Sequence, residues 1–273
     1  MNILEQIEAY KLQEVKARKR KYPIKQLEQS EFFGRSCNSL KNALANPSAS
    51  GIIAEFKRKS PSKGAIHINA DVLKVTQGYT KSGASALSVL TDEYFFGARK
   101  DDFLTARRNN QIPILRKDFM IDEYQILESK AMGADVVLLI AKLLSPKQIK
   151  AFTELAQSLG MEVLTEFHSE EEIREKENSR TDAAGINNRN LNSFEVDIQN
   201  SIRLAEILPQ GILKIAESGI ESPETVRKFR ENGFSGFLTG EFFMRNQQPE
   251  KKCEAFIKQL KQGDNNFKSQ LKI

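Results

Sequence analysis

From residue 51 onward the chain alternates short apolar runs with stretches whose apolar residues recur every three or four positions. The short runs read as strands buried on both faces, and the periodic stretches read as amphipathic helices. The strand candidates are 51–58, 84–92, 113–119, 135–142, 162–168, 183–190, 213–219 and 236–242. They recur at intervals of roughly 20 to 35 residues, the separation that parallel strands need for a crossover helix. Gly83, Gly133, Gly160 and Gly233 precede later strands as helix-ending residues. Helix starts are marked by Asp122, by Ser145 and Ser222 each before Pro, and by Ser169 with Glu172.

Eight strand–helix units predict an α/β protein built as a single (β/α)8 TIM barrel. An open doubly wound sheet would carry a glycine-rich nucleotide loop after its first strand, and the sequence has no G-x-G-x-x-G or Walker pattern. Residues 1–50 form an N-terminal helical extension, in which Ile3, Ile7 and Tyr10 have helical spacing for packing on the barrel or over its mouth. The catalytic barrel spans 51–262. A last helix is expected over about 250–262, followed by a polar C-terminal tail at 263–273.

Within this pattern the first strand is unusual. Glu55 and Lys57 stand two apart in Gly-Ile-Ile-Ala-Glu-Phe-Lys-Arg, so both face one way. Burying charge is costly unless it is paired or used. The same alternation sends Lys117 inward from strand three, Glu166 from strand five, Asn187 and Arg189 from strand six, and Glu217 from strand seven. Arg116 and Asp118, of opposite parity, are expected to make structural contacts outside the barrel. Barrel active sites lie at the carboxyl ends of the strands. A set of carboxylates and lysines there suits proton transfer, because neighbours push pKa values apart.

The turn Ser218-Gly219 and the stretch Thr239-Gly240-Glu241 place backbone N–H groups at the last two strands, where barrels of this type hold phosphate. Ser60 adds a hydroxyl after strand one. Phe95 and Phe96, in the loop after strand two, are balanced between a packed loop and an apolar wall for an aromatic ring.

Composition narrows the classes. The 273 residues are 40% hydrophobic and 28% charged, ordinary for a globular chain, and no apolar stretch approaches a membrane span. The N-terminus lacks a signal-peptide pattern, and Cys37 and Cys253 show no metal or redox spacing, so a reduced cytoplasm is expected. The net charge is +5 and the pI near 9.0, but the basic excess of 16–25 and the C-terminal end reads as solvated helix faces. No aromatic residues interleave with it, so nucleic acid is not expected as a partner, and without an apolar span neither is a membrane. His67 and His168 lie in no Cys/His cluster, which argues against a metal site; His168 reads as a residue behind the site or on the surface. Neither cysteine stands at a strand end as a nucleophile.

Several motifs in order then specify a family. They are Ile-Leu-Glu-Gln-Ile-Glu-Ala-Tyr-Lys, Ile-Ile-Ala-Glu-Phe-Lys-Arg-Lys-Ser-Pro-Ser-Lys-Gly, Leu-Arg-Lys-Asp-Phe-Met-Ile-Asp-Glu-Tyr-Gln-Ile, Gly-Ile-Asn-Asn-Arg-Asn-Leu, Ala-Glu-Ser-Gly-Ile and Thr-Gly-Glu-Phe-Phe-Met-Arg. Over nearly its whole length the chain resembles the indole-3-glycerol-phosphate synthases of tryptophan biosynthesis. Ala216 departs from a frequent Ser, and Phe242-Phe243 replace smaller residues expected in the last strand.

The resemblance implies ring closure, decarboxylation and dehydration of 1-(2-carboxyphenylamino)-1-deoxyribulose 5-phosphate, a carboxy-lyase reaction without metal or cofactor. It implies Lys117 as general acid on the ketone, Lys57 as holder of the substrate carboxylate and a second proton donor, and Glu166 as base in the dehydration. Glu55, Asn187 and Glu217 would orient these groups, and Arg189 would add positive charge beside the carboxylate. Ser60, Ser218, Gly219, Gly240 and Glu241 would hold the phosphate, and Pro61, Phe95 and Leu238 would line the anthranilate pocket. The partner is then a small phosphorylated substrate, with a monomer, or association with other tryptophan-pathway enzymes, compatible with the family. The nearest rival is a barrel such as phosphoribosylanthranilate isomerase, whose Cys and Asp pair has no counterpart at these strand ends. A ligand-binding barrel without catalysis is the rival of another class.

Overall fold

In the computed structural model, which describes residues 3–176, 180–189 and 195–270 with the side chains of 264–270 excepted, all eight expected strands form and close into one parallel barrel. They are β1 (Ile52–Phe56), β2 (Ala86–Leu90), β3 (Ile114–Lys117), β4 (Val136–Ile140), β5 (Glu162–Phe167), β6 (Ala183–Asn187), β7 (Leu213–Glu217) and β8 (Gly236–Thr239). Each pairs with its sequence neighbours, and β8 closes on β1 through Ile53 opposite Leu238. Asn190 of the expected sixth strand, Leu191 of its motif and the last residues of the expected tail, 271–273, lie outside the described residues.

The two-residue alternation divides the apolar residues into two cores. Ile53, Ala86, Leu115, Leu138, Leu164, Ala183 and Ile215 fill the barrel, and Leu40 and Leu44 of the helix Leu40–Ala45 pack with them. Ile52, Ala54, Phe56, Val89, Val137, Phe167, Ala216 and Phe237 instead face the surrounding helices. Ala216 thus belongs to the outer layer. The helix signals operate as expected. Asp122 accepts from the Tyr124 N–H, Ser145 and Gln148 form a reciprocal capping box, and Ser222 accepts from the Thr225 N–H. Gly83, Gly133, Gly160 and Gly233 all have positive φ.

Two segments differ from expectation. The eighth strand stops at Thr239, and Phe242 and Phe243 lie in a short helix, Glu241–Met244, instead of the strand. Glycine is needed at 240, where the chain leaves the strand, because a side chain there would collide with Glu55. The final helix, Pro249–Gln270, runs beyond 262. Gly263 does not adopt the left-handed conformation that ends helices; it lies against the Arg227 guanidinium, so the helix continues past it.

Before the barrel, α1 (Ile3–Lys21) lies across the mouth. Its buried stripe is Ile7, Lys11 and Val15, whereas Tyr10 is 40% exposed and stacks on Tyr94. Lys11 is fully buried, its ammonium 2.7 Å from Glu14, 2.9 Å from Asp92 and 2.7 Å from Asp118. Asp118 in turn is 3.1 Å from Arg116, which also reaches Glu128 at 2.7 Å. Arg116 and Asp118 therefore do anchor the outside of the barrel, as their parity requires.

Candidate active site

A cavity opens at the carboxyl ends of the strands, and the inward residues meet there. Glu55, Lys57, Lys117, Glu166, Asn187, Arg189 and Glu217 all line it. Strand register sets their levels: Glu55 lies opposite Ser88, Leu90 opposite Lys117, Ile140 opposite Glu166 and Asn187 opposite Glu217. Gly185 is required beneath them, because any side chain there would overlap the Glu217 carboxylate.

The Lys117 ammonium stands between two carboxylates. It donates to Glu166 Oε2 at 3.0 Å and to Glu217 Oε2. Burial alone would favour the neutral amine, but Glu166, Glu217 and Glu55 outweigh it and hold the ammonium charged. One cation cannot satisfy two buried anions equally. Burial, together with the negative charge of Glu166, pushes the Glu217 carboxyl up to about 8 despite Lys117. Glu166 is also opposed by burial, yet Lys117, His168 and Asn187 hold it well below the usual carboxylate range. The two carboxyls around Lys117 are thus pushed in opposite directions, Glu166 down and Glu217 up.

Lys57 forms a separate pair, its Nζ 2.8 Å from Glu55 Oε1, while Ser88 donates to Glu55 Oε2 at 3.3 Å. Asn187 donates to Glu166 Oε1 at 3.1 Å, and its own carbonyl oxygen accepts the Arg189 N–H at 3.0 Å. The Arg189 guanidinium is engaged by Glu241 at 3.1 Å. This draws it to the start of the helix Glu241–Met244 and neutralises part of its charge.

The opposite wall is made of turns. Ser60, Pro61, Ser218, Gly219, Leu238, Gly240 and Glu241 all border the cavity. Ser218 has φ 69 and Gly219 φ 70, and Ser218 is the one non-glycine residue with positive φ among the described residues. Buried Asn188 holds this strained turn by donating to the Ser218 carbonyl at 2.6 Å. The Glu241 carboxylate turns to Arg189, which leaves only its backbone N–H to serve an anion.

The aromatic expectation needs correction. Phe95 does not reach the cavity; it packs edge-on against Tyr10 and Tyr94. The wall is Phe96 with Phe119, their centroids 5.9 Å apart. Asp92 caps the one-turn helix Glu93–Phe96 by accepting from the Phe95 and Phe96 N–H groups, and this cap fixes which ring turns inward. Two adjacent phenylalanines in a loop give no sequence signal for that choice. Ile3, Leu4 and Ile7 of α1, with Leu90, Leu138, Ile140 and Phe242, complete the apolar lining. Sequence reading placed α1 near the mouth but named no contact, and it gave Phe242 no part in the site. His168 does lie behind the site, with its Nε2 3.1 Å from Glu166 Oε1. Among the described residues no His, Cys, Asp and Glu cluster offers a metal site, and no helix is long and apolar enough to cross a membrane.

Known proteins resemble this chain at two levels, fold and sequence. Solved structures of remote sequence share the fold alone: the tryptophan synthase alpha subunit of Legionella pneumophila superposes with a TM-score of 0.61 at 15% identity, covering 85% of this chain and all of that one. A thiamine phosphate pyrophosphorylase from Pyrococcus furiosus gives 0.57 at 17% identity, covering 81% of this chain and 99% of that one. In sequence, the indole-3-glycerol phosphate synthase of Bacteroides thetaiotaomicron is 48% identical over 259 residues, 95% of this chain and 99% of that protein. The enzyme of the same name from Paracidovorax citrulli is 41% identical over 255 residues, 91% of this chain and 96% of that one. The family model for indole-3-glycerol phosphate synthase matches residues 4–256. With the inward charges, the two glycine turns and the apolar wall meeting in one cavity, the chain belongs to the indole-3-glycerol phosphate synthase family.

Proposed function

We propose that the protein converts 1-(2-carboxyphenylamino)-1-deoxyribulose 5-phosphate to indole-3-glycerol phosphate, carbon dioxide and water in tryptophan biosynthesis. The observation that carries the residue assignment is the Lys117 ammonium held between the Glu166 and Glu217 carboxyl groups in the cavity. The substrate has four recognisable parts, and the cavity offers a matching surface for each. Phe96, Phe119, Leu138 and Leu238 take the ring, with Pro61 at the edge. Lys57 takes the ring carboxylate. Ser60 and the backbone N–H groups of Gly219, Gly240 and Glu241 take the phosphate, with Arg189 supplying positive charge on the Glu241 side. Lys117 faces the ketone.

In the first step the ring carbon bearing the carboxylate attacks the ketone carbon, and Lys117 gives its proton to the ketone oxygen. A developing alkoxide is far more basic than an amine, so the transfer runs downhill although the carboxylates make Lys117 a weak acid. The bond to the carboxylate then breaks, carbon dioxide leaves, and its electron pair restores the aromatic ring. In the last step Lys57 protonates the departing hydroxyl, and Glu166 removes the proton from the adjacent carbon. Two protons enter and one returns, so each turnover takes one net proton from solvent. Glu55 orients Lys57, while Asn187 and Glu217 orient Glu166 and Lys117. No step calls for a metal or a redox cofactor. Both cysteines are free thiols, which suits the cytoplasm as its compartment.

The test is to supply the carboxyphenylamino-deoxyribulose phosphate to the purified protein in chelator and follow indole absorbance and fluorescence. Turnover that disappears in Lys117→Ala supports both reaction and acid. Substrate that binds without forming indole would overturn the assignment.

A further inference from the structure

Glu166 and Glu217 share Lys117, yet they are not equivalent. Glu217 has Lys117 as its one cationic neighbour within ion-pair distance, and its Oε1 is buried without a hydrogen-bond partner among the described residues. Glu166 has more on its far side. Its Oε1 accepts from Asn187 at 3.1 Å and lies 3.1 Å from His168 Nε2, which leaves Oε2 for Lys117. His168 follows β5 with the same parity as Glu166, and its side chain is only 9% exposed. On its other side Nδ1 lies 3.6 Å from Glu172 Oε2, and the same oxygen accepts the His168 backbone N–H at 2.8 Å. The ring is thus clamped between the inner carboxylate and a carboxylate of the helix Glu170–Lys176.

Both ring nitrogens are buried, Nε2 facing Glu166 and Nδ1 facing Glu172. Burial disfavours the cation, but Glu166 and Glu172 raise the imidazole to about 9. The other charged groups bordering the surface cleft behind it are Glu170 on the same helix and Arg203 on the helix Ile198–Glu206.

We propose that His168 is a positioning residue: clamped between Glu166 and Glu172, it pins Glu166 Oε1 and so aims Oε2 at Lys117 and the substrate. It touches no reacting atom and acts entirely through Glu166. The inference rests on the reading of Glu166 as the base. Two charges sharing one cation need an asymmetry to fix which carries the proton, and His168 supplies a full charge where Asn187 supplies only a dipole.

The experiment compares wild type, His168→Gln and His168→Lys, with kcat and KM measured against pH and the Glu166 carboxyl followed by carbon NMR. The Gln variant should lose roughly tenfold to a hundredfold in kcat with KM within about twofold, the range expected when an acid–base group is mis-set. The acidic limb of its kcat profile and the Glu166 midpoint should both move up by about one unit or more. Lys at 168 should restore much of both. Unchanged kcat and an unmoved Glu166 midpoint in the Gln variant would overturn the proposal. If the Gln variant does not fold, the wild-type titration decides: the Glu166 signal must show a second step as His168 deprotonates, and a single step overturns the coupling. A wild type without turnover but with this coupled titration would reject the reaction and leave the positioning intact.

Discussion

Lys117 Nζ lies 3.0 Å from Glu166 Oε2 although 48 residues separate them in the chain, a contact set by neither segment alone. The β3 and β5 strands bring the two side chains to the same level of the barrel, with β4 between them. A charged acid and an ionised base are thereby placed in contact in a site from which much of the water is excluded.

Replacing Lys117 with Ala should reduce turnover by about a thousandfold or more, as removal of a general acid does. The stability effect depends on pH. Without the ammonium, Glu166 and Glu217 lie buried with less compensation, so the variant should lose on the order of 2 kcal/mol at pH 8. Near pH 5, where both carboxyls accept protons, it should lose little. Urea unfolding at the two pH values reads the difference.

Glu217 carries a pH dependence of its own. Its folded-state value of about 8 lies above the ordinary carboxyl value of 4.5, so its contribution to stability is fully present below 4.5 and is lost as pH rises through 8. Glu217→Gln should flatten that decline, making the variant relatively more stable at pH 8 than at pH 5 by on the order of 2 kcal/mol. Parallel pH–stability curves for variant and wild type would contradict the raised value.

Lys11 is a structural counterpart. Lys11→Met leaves Asp92 and Asp118, both without side-chain exposure, facing an apolar group. The expected loss is about 3 kcal/mol, the cost of breaking a buried ion pair from one side. Because Asp92 also caps the Phe96 turn and α1 carries Ile3, Leu4 and Ile7 over the cavity, KM should rise as well. Denaturant unfolding and steady-state kinetics test the two effects separately.

The two neighbouring phenylalanines should separate cleanly. Phe96→Ala removes part of the cavity wall and should raise KM about tenfold. Phe95→Ala removes a contact with Tyr10 and Tyr94 and should leave KM within about twofold while lowering stability by about 1 kcal/mol. Equal effects on KM would place both rings in the site.

Asn188→Ala should loosen the Ser218-Gly219 turn, since it deletes the donor to the Ser218 carbonyl. Inorganic phosphate, competing with substrate, should bind several-fold more weakly to the variant. An unchanged inhibition constant would separate Asn188 from the anion site.

The number and order of the strands are legible in the sequence, because period-two and period-3.6 burial are local properties of each segment. The inward set of Glu55, Lys117, Glu166, Asn187 and Glu217 is legible in the same way, since parity within a strand needs no partner, and Lys57 and Arg189 keep that parity just beyond the ends of β1 and β6. How those charges are matched is settled by packing between distant segments. Arg189 meets Glu241, Lys11 is drawn into the interior by Asp92 and Asp118, and His168 turns to Glu166 instead of solvent. Tertiary packing likewise chose Phe96 over Phe95, ended the eighth strand at Gly240, and carried the last helix past Gly263. Each of these depends on a residue distant in the chain. A local pattern states which face of an element leaves water, whereas the charge or ring that satisfies a buried side chain is fixed only when the barrel closes and sets the distances between strands.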